Sequence, residues 1–149
     1  MFEERILLVD DEPNVLAAME RRLKGRFSIE TLSHPLQALE AVQSKGPYGV
    51  VVSDLRMPEM NGTELLKKIR ELAPDTVRIM LTGYADVDTA IEAVNEGNVF
   101  RFLTKPCPAE VLERALGAGL KQYRLVRAER ELLEQTLKGS IRVLTELLS

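Results

Sequence analysis

Five residues spread from position 10 to position 105 could do chemistry together: Asp10, Asp11, Asp54, Thr82 and Lys105. Each follows a short apolar run, so parallel runs laid side by side would bring three carboxylates, a hydroxyl and an amine to one edge. At about 4 Å and an effective dielectric near 20, two carboxylates repel by about 4 kcal/mol. Either their pKa values rise or a cation enters. An acid-rich, all-oxygen cluster suits a hard divalent ion, and Mg²⁺ is the usual choice where phosphate is handled. Lys105 alone would leave the cluster net negative. Its better use is against the oxygens of an incoming phosphoryl group, with the Thr82 hydroxyl as a further donor. An aspartate held beside a metal and a lysine can act as nucleophile and become an acyl phosphate.

The elements that would position these groups are legible. Val50-Val51-Val52-Ser53-Asp54 reads as a strand covered on both faces that runs out at an acid. Met57-Pro58 and Asn61-Gly62 then turn the chain. The competing reading is an aspartate that merely opens a loop. Ile6–Val9, Phe27–Leu32, Val77–Leu81 and Val99–Leu103 are the other predicted strands. Between them, helices are expected from Pro13 (Val15, Leu16, Met19, Leu23), from Pro35 (Leu36, Leu39, Val42), after Asn61-Gly62 (Leu65, Leu66, Ile69, Leu72) and after a cap at Asp86 (Val87, Ile91, Val94). Strand and helix alternate five times with no hairpin signal. That predicts an α/β fold, a doubly wound five-stranded parallel sheet with right-handed crossovers. All carboxyl ends then share one edge, where ligands bind.

The chain has 149 residues and a formal net charge of −3, enough for one domain with a sizeable core. Nothing in this balance suggests a polyanion-binding surface, so direct nucleic-acid binding is not expected. One cysteine, Cys107, excludes an internal disulfide and fits a reducing compartment. No apolar run approaches the roughly 20 residues of a membrane span, and the expected location is cytoplasmic. From Pro108 to Ser149 helix formers dominate. Leu112, Leu116 and Leu120 are placed on the sheet. Beyond them Val126, Leu133, Leu137, Ile141, Leu144 and Leu148 form a stripe with no core left to cover, which calls for a partner such as a second copy in a coiled coil. Gly117, Gly119 and Gly139 are the places where this helix could bend or break. The alternative is a helix folded back on its own domain. Lys121, Arg124, Arg127 and Arg130 are expected on a solvated face.

Asp10-Asp11-Glu12, Asp54 with Met57-Pro58 and Asn61-Gly62, Leu81-Thr82-Gly83, and Phe102-Leu103-Thr104-Lys105-Pro106 closely resemble the receiver domain of two-component response regulators. The resemblance covers about residues 4–122, giving a receiver over 1–122 and a helical extension over 123–149. It implies the flavodoxin-like strand order 2-1-3-4-5. It also implies that Asp54 accepts a phosphoryl group from a sensor histidine kinase or phosphotransfer protein. By the same resemblance Asp11, Asp54 and the Arg56 backbone carbonyl would bind Mg²⁺, with Asp10 acting through water. Thr82 and Lys105 would grip the phosphoryl oxygens, Thr82 and Phe102 would form the switch, and the bond before Pro106 would be cis. Residues 121–137 are similar to the signalling helix of receivers fused to HD-type phosphohydrolase effectors.

Other classes fit less well. A turnover phosphohydrolase using an aspartyl-phosphate would want an acid two residues after its nucleophile, where this chain has Arg56. A flavin or nucleotide site would want glycines after the first strand, and Asp10-Asp11-Glu12 would repel the phosphate. A purely structural domain would not need acids at two strand ends and a lysine at a third. His34 and Cys107 read as loop residues.

Overall fold

The structure, a computed structural model, describes residues 4–148. Five strands, β1 (Arg5–Val9), β2 (Ser28–Leu32), β3 (Val50–Asp54), β4 (Val77–Thr82) and β5 (Arg101–Thr104), form one sheet in the order β2-β1-β3-β4-β5. Every pairing is parallel, as the alternation of strand and helix requires. The helices are α1 (Pro13–Leu23), α2 (Pro35–Ser44), α3 (Gly62–Leu72), α4 (Val87–Asn95) and α5 (Ala109–Leu148).

The strands alternate side chains between two cores. Leu7, Val9, Val51 and Met80 face Ala38, Leu65, Ile69 and Ala90 of α2, α3 and α4. Ile6, Leu8, Val50, Val52 and Ile79 face Leu16, Leu23, Leu112, Leu116 and Leu120 of α1 and α5. This is why β3 opens with three valines: both of its faces are covered.

Helix starts follow the sequence signals in part. Pro13 and Pro35 stand in the first turns of α1 and α2, and the Asn61 side chain accepts the Glu64 N–H at 2.9 Å to cap α3. Asp86 occupies the position before α4 but makes no side-chain cap bond, because its carboxylate is turned to Arg56. Phe27 is excluded from β2 because its N–H closes the turn after α1 onto the Leu23 carbonyl. Val99 and Phe100 likewise precede β5. Leu36, Leu72 and Ile91, expected on buried faces, are exposed. On α2 and α4 the small Ala38, Ala41, Ala90 and Ala93 take the inward positions and let the helices lie close to the sheet.

α5 is a single unbroken helix of 40 residues, about 60 Å at 1.5 Å per residue. The glycines do not break it. Gly119 lies where a Cβ would come within 2.9 Å of Val50 Cγ2, so it buys close helix–sheet contact instead. The basic face is solvent-exposed, as expected, and three of its arginines also make ion pairs: Arg124 with Glu4, and Arg127 and Arg130 both with Asp75. These ion pairs hold the helix to the domain past Tyr123, its last buried residue.

Candidate functional site

The carboxyl ends of β1, β3, β4 and β5 meet at one edge. Asp10 follows β1 and is 2 % exposed; Asp54 ends β3 and is 8 % exposed. With the half-buried Asp11 they offer three carboxylate oxygens lying within 4.8 Å of one another. Lys105, just past β5, places Nζ 3.1 Å from Asp54 Oδ1 and 3.3 Å from Asp10 Oδ2. The Glu12 N–H donates to Asp10 Oδ1 at 2.9 Å and fixes that acid. The Lys105–Pro106 bond is cis.

Three acids against one ammonium leave the pocket short of positive charge, and the titration directions agree. Burial pushes the Asp54 carboxyl up, and Lys105 beside it only partly reverses this. Burial acts to lower the Lys105 ammonium, but Asp54 and Asp10 outweigh it and the net shift is upward. Lysine stays charged while Asp54 resists ionisation. An all-oxygen donor set with surplus negative charge fits a hard divalent cation.

The remaining predicted residues flank this centre. Thr82 is fully buried at the end of β4, and its hydroxyl donates to the Gly83 carbonyl at 3.3 Å. Phe102 lies on β5 opposite Met80, half-buried against the α2–α3–α4 core. Arg56 lies two residues beyond Asp54, and its exposed guanidinium grips Asp86 through two bonds of 2.6 and 2.7 Å. That guanidinium holds the Asp86 carboxyl below its usual range.

The family profile of the response regulator receiver domain matches residues 6–117. The chain belongs to that family. The receiver is 37% identical over 131 residues to the C4-dicarboxylate transport transcriptional regulatory protein DctD of Pseudomonas aeruginosa, covering 87% of this chain and 28% of that protein. The chain therefore spans less than a third of that relative. Among solved structures, one described as adenylate cyclase from Rhodopirellula baltica has a TM-score of 0.87 at 46% identity, covering 89% of this receiver and 98% of that chain. The signal receiver domain of an HD domain-containing protein from Pseudomonas fluorescens gives 0.77 at 31%, covering 84% and 92%. The protein is a receiver domain of two-component signalling. No helix among the described residues is long and apolar enough to cross a membrane.

Two site residues escaped the sequence reading. The first is Asp86 as the partner of Arg56, 30 positions away, for which an isolated sequence holds no signal. The second is Gly62, read only as half of a turn. Its N–H donates to the Leu55 carbonyl at 2.7 Å, and a Cβ there would collide with the Asp54 carbonyl oxygen. Gly62 lets α3 begin directly against the end of β3.

Proposed function

We propose that the receiver accepts a phosphoryl group on Asp54 from a sensor histidine kinase or phosphotransfer protein, in a Mg²⁺-dependent reaction. The observation that carries this is Lys105 bridging Asp54 and Asp10, with Asp11 in the same cluster. Asp11, Asp54 and the Arg56 backbone carbonyl would hold the ion, with Asp10 acting through water. Mg²⁺ supplies positive charge against the transferring phosphoryl oxygens when bound. Asp54 is the nucleophile: its carboxylate oxygen bonds to phosphorus as the P–N bond of a phosphohistidine breaks. The electron pair stays on the imidazole, which takes up a proton. Lys105 then trades its bond to Asp54 for a phosphoryl oxygen, and the Thr82 hydroxyl turns to donate to another. Movement of Thr82 frees space for Phe102 and alters the α4–β5–α5 face.

The chain's own chemistry is limited to gaining and losing its phosphoryl group. As a catalytic phosphohydrolase it would need an acid where Arg56 stands, and that side chain is committed to Asp86. An effector would lie outside this chain, of HD type or, by similarity to the Rhodopirellula structure, a cyclase. The site of action is cytoplasmic. Residues 1–122 act as the receiver and 123–149 as the output extension. Leu133, Leu137, Ile141 and Leu144, each more than half exposed, support pairing with a second copy through α5.

Intact mass after incubation with Mg²⁺ and a small acyl-phosphate donor tests the chemistry. One added phosphate is expected in the wild type, and none in Asp54→Asn or in EDTA. Sedimentation of the full chain against Leu137→Glu/Leu144→Glu tests pairing, which fails if both run as monomers.

A further inference from the structure

Around the phosphorylation site a ring of contacts closes on itself. Two residues past Asp54, Arg56 holds both carboxylate oxygens of Asp86. The Asp86 N–H donates to the Gly83 carbonyl at 3.1 Å, closing the turn of Tyr84–Asp86. The same Gly83 oxygen accepts the Thr82 hydroxyl at 3.3 Å, and Thr82 ends the strand paired with that of Asp54. An aspartate in the position before a helix ordinarily accepts one of the free N–H groups there. Asp86 forgoes this bond, and α4 begins without a side-chain cap. A two-point contact between guanidinium and carboxylate fixes orientation as well as distance. The turn after β4 is thus pinned to the loop after β3.

We infer that Asp86, gripped by Arg56, is a positioning residue that acts through the Gly83 carbonyl on Thr82, restraining the hydroxyl on that carbonyl. This rests on the reading of Asp54 as phosphoacceptor. For Thr82 to reach a phosphoryl oxygen on Asp54, its hydroxyl must shift off the Gly83 carbonyl, which the Asp86 N–H and the Arg56–Asp86 pair hold beside it. The ion pair opposes that shift. It favours the unphosphorylated state, and a ligand that draws Thr82 inward works against it.

The probe is beryllium fluoride with Mg²⁺, a stable phosphoryl mimic, titrated into the full chain by calorimetry. Asp86→Ala is expected to bind about 2- to 5-fold tighter than wild type, the range of an exposed ion pair. Asp86→Glu, which keeps a carboxylate, should stay near wild type. In a Thr82→Val background the Asp86→Ala gain should vanish, since the hydroxyl it acts on is gone. Simple structural damage would weaken binding, so the sign separates the two. Equal or weaker binding by Asp86→Ala, or an equal gain without the Thr82 hydroxyl, overturns the restraint. Failure of the wild type itself to bind the mimic with Mg²⁺ overturns the phosphoacceptor reading, and the restraint with it.

Discussion

Without divalent metal, Asp54→Asn should be more stable than the wild type. The three acids present oxygens within 4.8 Å of one another, and at an effective dielectric near 20 each contact at that separation repels by about 3.5 kcal/mol. Asp54 faces two such contacts. Lys105 at 3.1 Å returns about 5 kcal/mol of attraction on the same scale. The ionised Asp54 is thus left unfavourable by about 1–2 kcal/mol before burial adds to the deficit. Its folded pKa is raised, so the native state binds the proton more tightly than the unfolded chain. Wild-type stability therefore falls as pH rises from the ordinary aspartate pKa through the raised folded one. Asn has no charge to lose. Urea unfolding at pH 7.5 in EDTA should place Asp54→Asn about 1–2 kcal/mol above wild type, with the gap closing toward the ordinary aspartate pKa. Saturating Mg²⁺ should then stabilise the wild type, by about 2.7 kcal/mol at a hundredfold excess over Kd, and reverse the order. An Asn variant less stable than wild type in EDTA, or one stabilised equally by Mg²⁺, would refute the charge argument.

Lys105→Met should slow phosphate incorporation from an acyl-phosphate donor about 100-fold or more; an unchanged mass-gain rate would remove Lys105 from the reaction. Gly62→Ala should cost about 1–3 kcal/mol in denaturant unfolding and reduce phosphate uptake by displacing Asp54; uptake at the wild-type rate would show that α3 can move aside. Tyr48 is buried against Glu30, and burial pushes its phenol up to about 12. The native state then holds that proton longer than the unfolded chain, so stability is lost between about pH 10 and 12. Tyr48→Phe should lack this component, and parallel pH–stability curves for the two proteins would argue against it.

The strand ends were legible because each is an abrupt change of chemistry. Val52 gives way to Ser53-Asp54, Leu81 to Thr82-Gly83, and Leu103 to Thr104-Lys105, and parallel strands can only deliver those changes to one edge. Burial was less legible on α2 and α4, where alanines face the sheet while Leu36 and Ile91 meet solvent. Hydrophobic size marks what can be buried, but helix–sheet spacing decides what is. Long-range ion pairs were not legible at all. Asp75 with Arg127 and Arg130 joins residues more than 50 positions apart, and Arg56–Asp86 joins two loops, so neither pair leaves a local pattern.

The Asp75 clamp gives the projecting end of α5 a defined azimuth. Past Arg130 the helix runs on for 18 residues, about 27 Å. It works as a lever arm whose base is bolted at two adjacent turns, so a small tilt at the sheet is magnified at Leu148. Each residue inserted between Arg130 and the tip would swing the tip by about 100° and advance it about 1.5 Å. Insertions of about seven residues would restore the original bearing, whereas those of two would point the leucines to the opposite side. Any load borne at the tip is therefore indexed to the carboxyl edge of the sheet by helical phase as much as by distance.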